Sequence, residues 1–161
     1  MKDDKFVTNT ITLKDASIFC RNFLGVKSEK NSSGSRNFLV EIPEEIVDDL
    51  LDDDWNVKRS KRDNEDGTQS YYMPVEVSYQ NDKFIPSIYR VLPESKIRVL
   101  LTEDTIGTLD SDDILKVDIT IRPRNWFDMG HNHRVKAYVK TMFVTVMEDP
   151  LEIDYADIPI K

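Results

Sequence analysis

Two long runs of alternating side chains, separated by a polar turn, dominate the chain between Ile114 and Val146: ILKVDITIRPRNWFDMGHNHRVKAYVKTMFVTV. Successive side chains of a strand leave opposite faces, so this alternation predicts two neighbouring β-strands, each with an apolar and a polar face. In the first run Leu115, Val117, Ile119 and Ile121 share one face, and Lys116, Asp118, Thr120, Arg122 and Arg124 the other. In the second, Val135, Ala137, Val139, Thr141 and Phe143 oppose Arg134, Lys136, Tyr138 and Lys140. Trp126 and Phe127 fall in the turn between the runs. Two strands patterned this way need a core for their apolar faces, and they leave a mostly basic face to solvent.

The rest of the chain supplies partners of the same kind. Residues 5–13 and 15–23 read as two strands or one bent strand, with Phe19 and Phe23 expected in the core. Residues 25–36, rich in Ser, Asn and Gly, read as a loop carrying Lys27, Lys30 and Arg36, a hairpin connection or a basic flap. Residues 37–42 are a strand. Pro43 then opens a helix whose stripe is Ile46, Val47, Leu50 and Leu51. Residues 55–62 (WNVKRSKR) and 71–79 (YYMPVEVSY) are expected to pair as a β-arm, with Pro74 marking an edge or a bulge. Short strands follow at 86–92 and 97–101, and a short helix or turn at 102–109. The fold expected is mainly β, one domain over residues 1–147 with one or two short helices, followed by an acidic tail at 148–161.

Net charge is −8, but the acids are segregated. Residues 41–54 hold eight acids and residues 148–158 hold five, with no base in either, so the remainder carries all 22 bases against 17 acids. A mildly basic body with two acidic patches suits a polyanion ligand better than the sum suggests. Cys20 is the only cysteine, which excludes an internal disulfide and fits a reducing compartment. No stretch is apolar for the roughly 18 residues of a membrane span, and MKDDKFVTNT has no signal-like core, so no membrane association is expected.

Little in the chain suggests catalysis. It has no glycine-rich phosphate loop and no nucleophile elbow. Cys20 lies in an apolar run, away in sequence from His131 and His133. Those two histidines and Asp128 read as solvated turn residues rather than metal ligands, and Asp110, Asp112 and Asp113 as turn acids rather than a two-metal site. No cofactor, metal or enzymatic activity is expected. The basic strand faces with interspersed rings read either as an ordinary wet sheet face or as a surface for nucleic acid, where cations meet phosphates and rings stack on bases.

Pieces spread along the chain resemble one family. They are Arg21-Asn22-Phe23-Leu24-Gly25, Gly34-Ser35-Arg36-Asn37-Phe38, Asp54-Trp55-Asn56-Val57-Lys58, and Leu101-Thr102-Glu103-Asp104-Thr105. Val117-Asp118-Ile119-Thr120-Ile121-Arg122-Pro123 with Asn125-Trp126, and Val135-Lys136-Ala137-Tyr138-Val139-Lys140-Thr141-Met142, complete the set. In this order they are similar to the phage single-stranded DNA-binding proteins of the oligonucleotide-binding (OB) fold. Where that pattern has Asp-Gly-Trp, this chain has Asp53-Asp54-Trp55.

The resemblance implies an elaborated OB fold: a five-stranded Greek-key barrel with extra strands or a β-arm. It implies a protein that coats single-stranded DNA in phage replication or recombination, without sequence preference, in the cytoplasm of the bacterial host. Stacking is expected of Trp126, Tyr138, Tyr72, Tyr89 and Trp55. Phosphate contacts are expected of Lys58, Arg59, Arg122, Arg124, Arg134, Lys136 and Lys140. Asp157-Ile158-Pro159-Ile160 is similar to the acidic tips by which such proteins recruit replication or recombination partners, although Lys161 follows here. Self-association is a further possibility. The competing expectation is an acidic adaptor or DNA mimic that binds no DNA.

Overall fold

The computed structural model describes residues 6–60 and 64–161, so Lys61 and Arg62 of the basic run lie outside the described residues. Its spine is a long antiparallel pair, β8 (Ile114–Phe127) and β9 (His133–Val146). β8 runs on through Trp126 and Phe127, which the sequence had suggested were turn residues; the connection is only residues 128–132. Asp128 shapes that turn, its Oδ1 accepting from the backbone N–H groups of Gly130 and Asn132.

The other strands are β1 (Ile11–Leu13), β2 (Ile18–Asn22), β3 (Arg36–Ile42), β4 (Lys58–Arg59), β5 (Tyr71–Val77), β6 (Ser87–Leu92) and β7 (Ile97–Leu101). A path of neighbours runs β1-β8-β9-β5-β3-β2. Its two ends are consecutive in the chain, and the segment joining them bonds to both sides: Ala16 N–H to Val117 O, and Glu41 N–H to Ser17 O. The sheet therefore curls back on itself. β1 and β2 act as one bent strand closing a five-stranded barrel in which β5 and β9 are parallel. That is the OB topology, elaborated by the β6–β7 hairpin, whose β6 continues the parallel pairing along the second half of β9. Helix α1 (Glu44–Asp52) lies between β3 and β4, burying Val47 and Leu50, and α2 (Pro150–Asp154) follows β9.

Core residues come from every barrel strand. Phe23, Phe38, Val40, Met73, Ile88, Ile121 and Met142 are fully buried. Three bulges set which residues join them. In β9, Val139 pairs with Ile121 and Thr141 with Thr120, leaving Lys140 as an extra residue. Inward residues are therefore Val135, Ala137 and Val139 before the bulge, then Met142, Val144 and Val146 after it. Thr141 and Phe143, expected on the apolar face, turn outward because the extra residue inverts the alternation. Leu115 is extruded in the same way, between the Ile114–Val146 and Lys116–Thr145 pairs, and is exposed. In β2 the register shifts between Phe19 and Asn22, so Phe23 enters the core while Phe19, also expected there, is exposed.

Two of the turn acids have structural partners. Asp110 accepts the backbone N–H groups of Phe23 and Leu24, and Asp112 makes a two-pronged ion pair with Arg90.

The Lys140 bulge yields a sharp test. Inserting one alanine between Thr141 and Met142 would invert the alternation again and turn Met142, Val144 and Val146 out of the core, each costing about 2–5 kcal/mol, together comparable to the whole stability of a domain. Lys140→Ala should change stability by less than about 0.5 kcal/mol. Urea unfolding followed by circular dichroism should find the insertion unfolded and the substitution near wild type.

Candidate nucleic-acid interface

The outer face of the β8–β9 ribbon carries a ladder of cations and rings. Antiparallel register sets Trp126 opposite Arg134, Arg124 opposite Lys136, and Arg122 opposite Tyr138. Paired residues share a face, so all six side chains emerge on one side. The three β8 members are even-numbered neighbours and so are the three β9 members, and no bulge interrupts either set.

Tyr138 is 5 % exposed, yet it lies outside the apolar core cluster. Cations cover its ring: Arg122 at 4.7 Å, Lys136 at 5.4 Å and Arg124 at 6.0 Å from the centroid. Arg124 also donates to its hydroxyl at 3.1 Å. An open stacking platform was expected here. The structure instead makes Tyr138 the floor that positions three cations, since the ring face attracts them and fixes their spacing. Burial, reinforced by Arg124, lowers the pKa of Arg122, while Tyr138 opposes that shift; the guanidinium stays charged near neutral pH. For Lys136 burial works downward, but the hydrogen bond and charge of Glu76, helped by Tyr138, outweigh it and raise the pKa.

Three clefts meet along this face. The first, about 660 Å³, opens where β5 and β9 diverge, and Asn37, Trp55, Asn56, Pro74, Trp126 and Arg134 help line it. The second, about 340 Å³, shares Ser35, Glu76 and Lys136 with the first and adds Arg36, Tyr79, Arg124 and Tyr138. The third, about 610 Å³, shares Arg124 with the second and adds Lys83, Phe84, Arg122 and Lys140. The result is one track with cations along its length and exposed rings near both ends, Trp126 at 46 % and Phe84 at 48 %. Arg122 bridges the inner part of the track, lying over Phe84 at 4.5 Å as well as over Tyr138.

Not every expected residue reaches this track. Trp55 lines the first cleft but is only 4 % exposed and belongs to the core cluster, so its ring is not open to a base. Tyr72 lies on the outer face of β5 but packs edge-on against Phe19 at 5.9 Å. Lys58 pairs with Tyr72 and shares its face, whereas Arg59 pairs with Tyr71, which packs against the core. Tyr89 stacks on Phe143 at 5.0 Å with Arg98 over both rings, farther along β9 than the three clefts. Phe84, Lys83 and Tyr79 were not expected in the site. Their signal in sequence is weak, because Lys83 and Phe84 sit in a single 3-10 turn and Tyr79 just past the end of β5, where no alternation marks an outward face.

His133 also departs from expectation. It is buried rather than solvated, with Nδ1 2.7 Å from Asp54 Oδ2 and Nε2 2.8 Å from Asn125 Oδ1. Asn125 in turn clamps Val7, accepting from its N–H and donating to its carbonyl. Asp54, at φ 69°, also gives its carbonyl to Val135 N–H. The network pins residues 54–56 against the start of β9 and so fixes one wall of the first cleft.

The loop before β3 is tightly built. Asn31 bonds Val26 O, Ser35 O and Ser35 N–H, and Gly25 and Gly34 pack backbone to backbone with positive φ. A Cβ at Gly25 would lie 2.7 Å from Gly34 O, so only glycine fits. This loop delivers Ser33, Gly34 and Ser35 to the second cleft. Among the described residues no group of three or more His, Cys, Asp or Glu side chains is arranged to hold a metal ion, and no helix is long and apolar enough to cross a membrane.

Comparisons with known proteins bear on the whole chain. The family model described as "Putative phage ssDNA-binding domain" matches residues 1–161. No curated protein sequence matches. Among solved structures, the single-stranded DNA-binding protein of bacteriophage Enc34 in complex with ssDNA superposes with TM-score 0.55 at 11% identity, covering 88% of this chain and 88% of that one. A second structure of the same phage protein gives TM-score 0.54 at 11% identity over 92% of this chain and 88% of that one. Its C-terminal truncation gives 0.53 at 10% identity, with coverages of 88% and 87%. At such identities the likeness is one of fold.

The contrast between the two tryptophans can be checked directly. Trp126→Phe should remove most of the emission that acrylamide quenches, leaving a blue-shifted signal from buried Trp55 that acrylamide barely reaches. Strong residual quenching in Trp126→Phe would show that Trp55 is open.

Proposed function

The chain belongs to the phage ssDNA-binding domain family, and from that premise we propose that it coats single-stranded DNA through the track on β8 and β9. One observation carries the proposal: Arg122, Arg124 and Lys136 surround Tyr138 and lead to Arg134 and Trp126 on a single sheet face. The cations take the phosphates, with Arg36, Lys83 and Lys140 extending the line to either side. Trp126 and Phe84 are the rings open to bases. Since every base has a flat face, stacking on them is independent of sequence. Nothing in this arrangement forms or breaks a covalent bond, so we read the chain as a binder rather than an enzyme. Work on transient single strands in phage replication or recombination, in the cytoplasm of the bacterial host, follows from this reading.

The last residues have a separate part. Glu148 is tied to the β6–β7 turn, accepting from the Glu94 and Ser95 N–H groups. Beyond it Leu151, Tyr155, Ile158 and Ile160 are exposed among acids. We infer that this acidic stretch, through Asp157, Ile158, Pro159 and Ile160, either contacts replication or recombination proteins or competes with DNA for the basic face. If it competes, removing residues 149–161 tightens DNA binding; unchanged affinity removes the competition and leaves partner recruitment.

Titration with oligo-dT tests the main reading. Trp126 emission should quench on binding, and the affinity should fall steeply between low and high salt. Trp126→Ala should cost about 1–3 kcal/mol of binding. Arg124→Ala should weaken dT and mixed-sequence oligonucleotides alike. A flat titration with every sequence would instead favour an acidic adaptor that binds no DNA.

A further inference from the structure

Two groove cations already hold anions of the protein's own. Lys136 lies 2.9 Å from Glu76 of β5, and Arg36, the first residue of β3, lies 3.7 Å from Glu103 in the turn after β7. Both pairs line the second cleft, beside Arg124, Tyr138 and Tyr79. Two polar atoms of this cleft, Arg36 Nε and the Tyr79 hydroxyl, are buried with no hydrogen-bond partner among the described residues. Unsatisfied buried polar groups are uncommon, and two within one cleft indicate a missing acceptor. Burial raises the Tyr79 pKa, with Glu103 adding to the effect and Arg36 opposing it, so the hydroxyl remains a donor near neutral pH.

We propose that this cleft is the seat of one backbone phosphate of the bound strand, made by Arg36, Tyr79, Arg124 and Lys136, and that Glu76 and Glu103 are resident counterions which the phosphate displaces. The proposal rests on the ssDNA-binding reading above and adds an acidic component to its site. A carboxylate offers a cation the same pair of anionic oxygens that a phosphodiester does. In the free protein the glutamates keep Lys136 and Arg36 in place and mask their charge. A lone anion must compete with each carboxylate separately, whereas a strand presenting phosphates in series displaces both in one event. Glu103 is 60% exposed and can swing into water, but Glu76 is only 19% exposed and leaves less easily. Glu76 is therefore the stronger brake on binding.

Double-mutant cycles on oligo-dT affinity test this, read by Trp126 fluorescence at fixed low salt. Glu76→Gln and Glu103→Gln should each tighten binding roughly two- to fivefold, Glu76→Gln more. In a Lys136→Met background the Glu76→Gln effect should vanish, because its partner cation is gone. The Arg36→Met and Glu103→Gln cycle gives the same reading should Lys136→Met fold poorly. Glu41→Gln, an exposed acid on the outer face of β3 and outside both pairs, should change affinity less. The proposal is overturned if neither glutamate variant tightens binding, if tightening persists undiminished without the partner cation, or if Glu41→Gln matches it. In those cases wild type still binds DNA and the functional reading stands. A wild-type chain that binds no oligo-dT removes both.

Discussion

Strand β9 is hydrogen-bonded along both edges, to β8 over its whole length and, on the other side, to Trp55, β5 and β6 in turn. Those three partners do not form one continuous strand. Where β5 leaves β9, residues 54–57 wedge in, held by the Asp54–His133 contact and the Asp54 carbonyl, and the first cleft opens there. A groove on the outside of a barrel needs such a divergence, because a uniformly paired sheet presents a convex wall. The single-residue bulge at Lys140 then lets one long strand keep its core face inward through the turn of the barrel.

The electrostatic design is local. The chain as a whole is acidic, yet the outer face of β8 and β9 gathers Arg122, Arg124 and Lys136 around Tyr138 and sets Arg134 opposite Trp126. Like charges so close repel: burial lowers the Arg122 pKa, and the neighbouring Arg124 adds to that shift. The aromatic floor and the carboxylates of Glu76, Asp128 and Glu103 offset that repulsion. Asp128 differs from the two glutamates. Its oxygens also accept backbone N–H groups of the β8–β9 turn, which together with Arg134 lower its pKa and make it a structural member of the loop.

The phage Enc34 structures that share this fold have only about a tenth of its residues in common with it. A fold can persist at that distance because its requirements are coarse. They are alternation with the right period, a bent first strand, and a crossing that brings β5 parallel to β9. Positions that carry the ligand are free to move along the face, so site residues need to be read from this chain's own geometry.

Alternation, turn chemistry and the helix stripe were enough to place nearly every strand, α1, and the basic face of β8 and β9, because each is a local pattern with a fixed period. The family resemblance was legible for a related reason: its motifs sit on those same strands. The bulges at Leu115, at Lys140 and in β2 were not legible, since an extra residue inverts the faces beyond it and leaves no mark in composition; Phe19, Thr141 and Phe143 were misplaced on that account. Burial of Trp55, Tyr138 and His133, and the arrival of Phe84, Tyr79, Glu76 and Glu103 in the site, depend on contacts between residues tens of positions apart. Only closure of the barrel brings those together, which is why the sequence could name the kind of surface while the tertiary structure decided which cations, rings and carboxylates make it up.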